Sequence, residues 1–286
     1  MKWSCAGHEK QKQYLERLMA EGSLMHAYMF AGPEMIGKRM IAEDIARVLV
    51  PHGYEMDILR LAPVMDEETG KTKDIPIEAI RDLKSWIFLR PLRTHKVIII
   101  DGAERLGDEA ANTLLKVLEE PPVYANFFLI TGTPNQVIST IASRCEKVDF
   151  LPLFESEIQS VLSSYKLSAT SYTLIQAVAA GKPGLALNLI QNDKLSEVAR
   201  SIAEFQKVLS SGTTEKILFA KKLAEDKTVS DIVGWWLAYI HYRLPQKPQL
   251  AALATGLMDL NFVLSQSHYN RRLAIENFLL TAIVPK

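Results

Sequence analysis

A glycine-rich segment at residues 32–38 constrains the fold more than any other part of the chain. It reads Gly-Pro-Glu-Met-Ile-Gly-Lys, which fits the phosphate-loop pattern of a glycine, four residues and then Gly-Lys. An apolar run at 26–31 precedes it and a helical pattern from residue 38 follows it. In this arrangement backbone NH groups at the helix start, with Lys38, face phosphate oxygens. Gly32, Gly37 and Lys38 therefore predict a nucleotide-binding ancestry, and an ordinary turn with a surface lysine is the alternative.

The next residue departs from that pattern. Arg39 stands where a phosphate loop carries Ser or Thr, whose hydroxyl coordinates Mg²⁺, and a guanidinium repels the metal. Asp101 ends an apolar run and occupies the place of a magnesium ligand, but Gly102 follows it instead of a glutamate that would polarise water. Asp101 can be a residual metal ligand or a turn cap. We expect no ordered Mg-ATP in this pocket, although the loop could still hold a phosphate.

Apolar runs alternate with helical periodicity in the first half of the chain. The predicted strands cover 26–31, 58–61, 96–101, 126–131 and 147–150, and the predicted helices cover 10–20, 38–50, 77–89 and 109–120. This alternation predicts an α/β domain with a parallel three-layer sheet, spanning residues 1–152. The polar stretch Met65 to Asp74 predicts an exposed loop.

Beyond residue 152 the strand-like runs end. Helical patterns at 155–163, 171–180 and 184–191 predict a small helical lid over 153–192. Longer patterns, including 229–243 and 250–265, predict a helical bundle over 193–286, which we assign to a collar that holds subunits together.

Charge and cysteine content exclude several classes of protein. The chain has 33 basic and 33 acidic residues, so no global charge drives it to nucleic acid or membranes. No apolar run approaches the ~20 residues that span a bilayer, and we expect a cytoplasmic protein. Cys5 and Cys145 lie far apart and suggest neither a disulfide framework nor a zinc site.

A Ser-Arg-Cys tripeptide at 143–145 precedes the last predicted strand. We expect Arg144 at the edge of the sheet domain, with its guanidinium free to project. An arginine donated to a neighbouring subunit's γ-phosphate stabilises the charge that develops during phosphoryl transfer. On the tripeptide alone, a surface arginine is the simpler interpretation.

Four segments together resemble one protein family. They are His26 to Pro33, Lys96 to Leu106, Ala110 to Pro122 with its Leu-Leu-Lys-Val-Leu-Glu-Glu-Pro-Pro run, and Thr140 to Cys145. These segments resemble the bacterial DNA polymerase III clamp-loader subunits, an AAA+ family. The resemblance covers about residues 1–192. It implies an AAA+ phosphate-loop domain with a small helical lid and a C-terminal helical collar.

Within that family the chain resembles the delta prime branch more than the ATP-hydrolysing gamma/tau branch. Arg39 and Gly102 depart from the ATPase pattern, and Gly184 falls where an ATPase lid would supply an arginine. Thr131 matches the family's sensor position, and as a strand-end hydroxyl it can equally bond nearby backbone. Residues 50–57 lack the cysteines of the family's zinc module, which leaves His52 as a loop residue.

The resemblance implies a subunit that is not an ATPase by itself and belongs to a heteropentameric clamp loader of the DNA polymerase III holoenzyme. Arg144, flanked by Ser143 and Cys145, would act in trans on ATP and Mg²⁺ bound by a neighbouring gamma/tau subunit. The implied partners are gamma/tau, the delta subunit, the sliding clamp and primer-template DNA. No cofactor is expected in this chain itself.

Three further points stay open. The chain could be an active, DNA-stimulated ATPase that uses Asp101 and Glu104, or it could be a pure assembly scaffold. Direct DNA contacts, at Arg90, Arg93 or Lys116, would be modest and to phosphates, and a solvated surface is the alternative for these three residues.

Overall fold

The computed structural model describes residues 2–64, 72–266 and 269–282. The chain forms two compact units, Met1–Glu157 and Ile158–Lys286. The predicted exposed loop at 65–74 falls largely outside the described residues, because 65–71 are not among them. No helix in the described ranges combines the length and apolar character needed to cross a membrane.

The first unit is built on a five-stranded parallel sheet. Its strands are β1 (Ala27–Ala31), β2 (Ile58–Leu61), β3 (Lys96–Asp101), β4 (Ala125–Thr131) and β5 (Glu146–Asp149), in the order β2-β3-β4-β1-β5. All neighbouring pairs are parallel, as the alternation of strands and helices predicts. The predicted strands are confirmed to within one residue at either end.

Helices cover the sheet on both faces. They are α1 (Glu9–Ala20), α2 (Lys38–Leu49), α3 (Ile77–Ile87), α4 (Asp108–Glu119) and the short α5 (Ser139–Ala142), and α6 (Glu155–Leu162) follows them. The alternating side chains of β3 explain the two layers. Ile98 and Ile100 pack into one apolar core, and Val97 and Ile99 pack into the other. A strand buried on both faces is apolar throughout, which is why its sequence signal is strong.

The second unit is entirely helical in its described residues. It contains α7 (Ala169–Ala179), α8 (Pro183–Gln191), α9 (Leu195–Leu209), α10 (Thr213–Ala224), α11 (Val229–Arg243), α12 (Ala251–Ser265) and α13 (Arg271–Thr281). Phe205 and Trp236 stack at its centre, with ring centroids 4.3 Å apart. The Trp236 Nε1 donates to Ser201 Oγ at 2.8 Å, so the buried indole keeps a polar partner.

Val178 and Leu189, from the predicted lid segment, share one apolar core with the predicted collar helices. The two segments therefore pack as one unit, and their functional division at residue 192 stays a prediction. The individual helices α9, α10 and α13 lie within the predicted bundle, although their bounds were not predicted from the sequence.

Candidate functional site

The predicted nucleotide residues meet at the carboxyl edge of the sheet. The loop 32–38 follows β1, Asp101 ends β3, and Thr131 ends β4. The strand register pairs Ala31 with Thr131 and Asp101 with Ile130, so these strand ends lie side by side. Gly32 N donates to Thr131 O at 3.3 Å and joins the loop to the end of β4. The fold therefore brings these candidate residues together, and their role in nucleotide binding stays a prediction.

Two glycines of the loop hold backbone conformations that other residues rarely adopt. Gly32 has φ +149°, and a Cβ placed on it would lie 2.1 Å from Phe150 O. Gly37 immediately precedes α2 and has φ +103°, and a Cβ placed on it would lie 2.2 Å from Cys5 Sγ. Both positions therefore require glycine, through backbone conformation and through the lack of space.

Lys38 folds back on its own loop. Its Nζ donates to Gly32 O at 2.5 Å and to Pro33 O at 2.6 Å, and the residue is buried. The lysine of a phosphate loop ordinarily places its positive charge next to the phosphates. Here the Lys38 ammonium is hydrogen-bonded to loop carbonyls instead.

Arg39 lies beside the carboxylate that the sequence assigns to magnesium. Its Nη1 is 3.6 Å from Asp101 Oδ2, and both side chains are partly exposed. Burial raises the pKa of Asp101, while the charges of Arg39 and Lys38 act to lower it. A divalent cation needs oxygen ligands, and here the carboxylate oxygen faces a permanent positive charge instead.

Two more carboxylates surround this pair. Glu104 Oε1 accepts from Gly132 N at 3.2 Å, while its Oε2 is buried without a hydrogen-bond partner in the described structure. Glu34, which belongs to the phosphate loop, also lies beside Gly132, because its Cγ is 3.4 Å from the Cβ position of Gly132. Both Glu104 and Glu34 act to raise the pKa of Asp101. Their negative charge opposes a polyphosphate in this pocket.

Thr131 has a local role in the structure. Its side chain is buried, and its Oγ1 accepts from Thr133 N at 3.1 Å. This is the strand-end hydrogen bond that the sequence left as an alternative to a sensor role.

The segment before α1 lies under the loop, a contact that sequence reasoning missed. His8 Nε2 donates to Ile36 O at 2.8 Å, and its ring meets Phe150 edge-on at 5.0 Å. Burial lowers the pKa of His8, which favours the neutral ring. Burial also raises the pKa of the Cys5 thiol to about 11, so the thiol that packs against Gly37 is protonated at neutral pH. No sequence motif pointed to these residues, because their partners are distant along the chain.

Arg144 lies at the edge of the sheet unit, but its guanidinium is not free to project as predicted. Its Nη1 donates to Thr140 O at 2.9 Å, and its Nη2 donates to Glu119 Oε1 at 2.7 Å. The side chain is 35% exposed. The prediction of a free guanidinium was wrong because Glu119, at the end of α4, comes close in the folded chain. Glu119 lies in the Leu-Leu-Lys-Val-Leu-Glu-Glu-Pro-Pro run, and nothing in that pattern indicates a contact with Arg144.

The residues flanking Arg144 make local contacts. Ser143 Oγ donates to Thr140 O at 3.1 Å. Burial raises the pKa of Cys145 to about 12, and neither Cys145 nor Cys5 forms a disulfide.

The remaining candidates lie on other elements of the chain. Gly184 is in the first turn of α8. Arg90, Arg93 and Lys116 are exposed, and the Arg93 guanidinium stacks over the Tyr54 ring at 4.9 Å. His52 is fully exposed, and its Nε2 is 3.9 Å from Glu55 Oε1. Across the described residues, no group of three or more His, Cys, Asp or Glu side chains is arranged to hold a metal ion.

Comparison with known families identifies the first unit. The family model described as DNA polymerase III, delta subunit, matches residues 7–154, which is more than half of the chain. The chain belongs to the clamp-loader family. The matched range contains the phosphate loop, Asp101, Thr131, Glu119 and Arg144.

Relatives of this clamp-loader subunit come from both branches of the family. It is 28% identical to the DNA polymerase III subunit tau of Bacillus subtilis over 246 residues, covering 79% of this chain and 43% of the relative. It is 35% identical to the DNA polymerase III subunit delta' of Escherichia coli over 147 residues, covering 51% of this chain and 42% of the relative. The chain thus spans about half the length of the curated relatives it matches, or less.

A solved structure supports the fold over nearly the whole chain. The DNA polymerase III gamma subunit-related protein of Thermotoga maritima aligns with a TM-score of 0.56 and 21% identity. The alignment covers 94% of this chain and 97% of that one. The predicted fold class, an AAA+ parallel-sheet domain followed by helical segments, is confirmed.

Proposed function

We propose that this clamp-loader subunit does not hydrolyse ATP itself and that its Arg144 serves the ATP site of a neighbouring gamma/tau subunit. The observation that carries the proposal is the contrast between two places in one unit. The chain's own phosphate loop has Arg39 beside Asp101. Arg144, by comparison, lies at the edge of the unit with a partly exposed side chain.

The home pocket supports the first half of this proposal. Lys38 is hydrogen-bonded to loop carbonyls, and Arg39 replaces the hydroxyl that would coordinate Mg²⁺. Glu34 and Glu104 add negative charge beside Asp101. Each feature opposes a metal-bound triphosphate in a different way, so the loss of hydrolysis does not depend on one substitution.

The chemistry of arginine supports the second half. A guanidinium is permanently charged and planar, and it can bind two oxygens of a phosphoryl group at once. An arginine supplied in trans stabilises the charge of the transition state and contributes about 10³-fold or more to turnover. The Arg144 side chain is partly exposed, and membership of the clamp-loader family supports a neighbouring subunit of the gamma/tau type as its target.

The proposed partners are gamma/tau subunits, a delta subunit, the sliding clamp and primer-template DNA. The proposed setting is the cytoplasm, where the ring would load the clamp. We propose that residues 153–192 act as the lid and residues 193–286 as the collar of the ring. Within such a complex the ATP and Mg²⁺ belong to the neighbouring subunit.

The test is a reconstituted loader in which this chain carries Arg144→Ala. We expect ATP turnover at the adjoining site, with clamp and primed DNA present, to fall by about 10³-fold while the complex still assembles. Arg81→Ala is the matched control, because Arg81 is also a partly exposed arginine in an ion pair, with Glu109. Parental turnover in the Arg144→Ala complex would overturn the proposal and would favour a pure scaffold.

One observation favours a second candidate, an active ATPase of the gamma type. The relative named tau aligns over more of this chain than the relative named delta'. Asp101 and Glu104 are the acids that such an enzyme would use. In this structure Asp101 is paired with Arg39, and Glu104 accepts a hydrogen bond from Gly132 N. Mg²⁺-dependent, DNA-stimulated turnover by the purified chain, lost on Lys38→Ala, would establish this alternative.

A further inference from the structure

The guanidinium of Arg144 is held at two points that lie far apart in the sequence. Thr140 O, in α5, accepts from Nη1, and Glu119 Oε1, at the last residue of α4, accepts from Nη2. Two acceptors on different nitrogens fix the plane of the guanidinium as well as its position. One acceptor alone would let the group rotate about that hydrogen bond.

The backbone on both sides of this contact is anchored in one apolar core. Val117 and Leu118 anchor the last turn of α4 in the core, and Pro121 and Pro122 prevent the helix from continuing. On the other side, Arg144 N donates to Ile141 O at 3.0 Å, and Ile141 is buried in the same core. The Glu119 and Arg144 side chains therefore both extend from backbone that is anchored in the same core.

A guanidinium has five N–H donors, so two hydrogen bonds leave others available for a second acceptor. We propose that Glu119 is a positioning residue that orients Arg144 towards the phosphoryl group of the neighbouring subunit. This inference rests on the proposed function, and it assigns a task to one carboxylate of the Glu-Glu-Pro-Pro run. Without this contact the guanidinium would sample several orientations after assembly, and turnover would fall because small displacements of a catalytic group reduce the rate steeply.

Glu120 provides a matched control in the same run. It is the adjacent acidic residue, it is exposed, and its carboxylate forms no hydrogen bond or ion pair within the described ranges. Removal of either carboxylate changes the net charge equally, so only the contact with Arg144 distinguishes the two variants.

The experiment measures ATP turnover at saturating ATP in the reconstituted loader with clamp and primed DNA. We expect Glu119→Ala to lower turnover by about tenfold, with the apparent KM for ATP unchanged. Glu119→Gln keeps an acceptor oxygen and should restore most of the rate, and Glu120→Ala should match the parent. In an Arg144→Ala background, Glu119→Ala should cause no further loss, because Glu119 then has nothing to orient.

Each result bears on the inference. Parental turnover with Glu119→Ala, when Arg144→Ala lowers the rate, would overturn the positioning role and leave the proposed function intact. A loss that persists in the Arg144→Ala background would also overturn it, since Glu119 would then act on structure or assembly. If Arg144→Ala itself is silent, the proposed function fails first. Melting temperatures of the isolated variants, and the Glu119→Gln rescue, separate misfolding from misorientation.

Discussion

Gly37→Ala should destabilise the first unit through two separable terms, which the structure allows us to estimate. The residue has φ +103°, where an L side chain is strained, and its Cβ would lie 2.2 Å from Cys5 Sγ. The conformational term costs about 1–3 kcal/mol. Forcing the buried thiol to move is a form of overpacking and costs about 1–3 kcal/mol more. The expected total is therefore about 2–6 kcal/mol of unfolding free energy.

A second substitution isolates the steric term. Cys5→Ala removes the sulfur, and the remaining Cys5 Cβ is 3.5 Å from the Gly37 Cβ position, which is ordinary contact. Cys5→Ala alone should cost about 1–2 kcal/mol, because it removes a small buried group. In the double variant only the conformational term of Gly37→Ala should remain, so the two substitutions should couple by about 1–3 kcal/mol.

Urea unfolding followed by hydrogen exchange on peptides from β1 and β4 measures the stability of the first unit separately. Gly32→Ala is the matched comparison, since its Cβ would meet a backbone atom, Phe150 O, at 2.1 Å. Cys5→Ala cannot relieve that contact, so the changes in unfolding free energy caused by Gly32→Ala and Cys5→Ala should be additive. Additivity between Gly37→Ala and Cys5→Ala would refute the reasoning, because the thiol would then play no part in excluding a side chain.

Two further predictions concern buried rings. Burial lowers the pKa of His8 from 6.5, so its contribution to stability should be complete above pH 6.5 and should decline as the pH falls towards the folded-state pKa. His8→Gln should reduce the dependence of the unfolding free energy on pH below pH 6.5, and an unchanged slope would contradict this prediction. Phe205→Ala should lower the unfolding free energy of the second unit, measured in urea, by about 3–5 kcal/mol, because Phe205 is buried and stacks on Trp236. Leu218→Ala, at an exposed position, should change that free energy by no more than about 0.5 kcal/mol, and equal effects of the two substitutions would place Phe205 outside the core.

The sheet and its loop were predictable because their signals are local. The run Lys96 to Asp101 is apolar at consecutive positions because both faces of β3 are covered, and the loop glycines report backbone conformations that few other residues adopt. The helices of the second unit were harder to delimit. The bounds of α11 and α12 were predicted to within one residue, whereas those of α13 were not. In α13 Leu273 and Leu280 are exposed while Ile275 and Leu279 are buried, so the apolar residues are not confined to one face and the helical period gives weak bounds.

Local patterns in the chain were enough to predict the parallel α/β architecture, the phosphate-loop turn, the replacement of a hydroxyl by Arg39 and the family resemblance. The contacts of the charged side chains, in contrast, became known from the folded structure alone. Lys38 bonds to its own loop, Arg39 lies beside Asp101, and Arg144 is held by Glu119. Strand and turn preferences depend on residues that are close together in the sequence, so a short segment is enough to predict them. Glu119 and Arg144 are 25 residues apart and meet because α4 and α5 pack on the same face of the sheet, which no local pattern encodes.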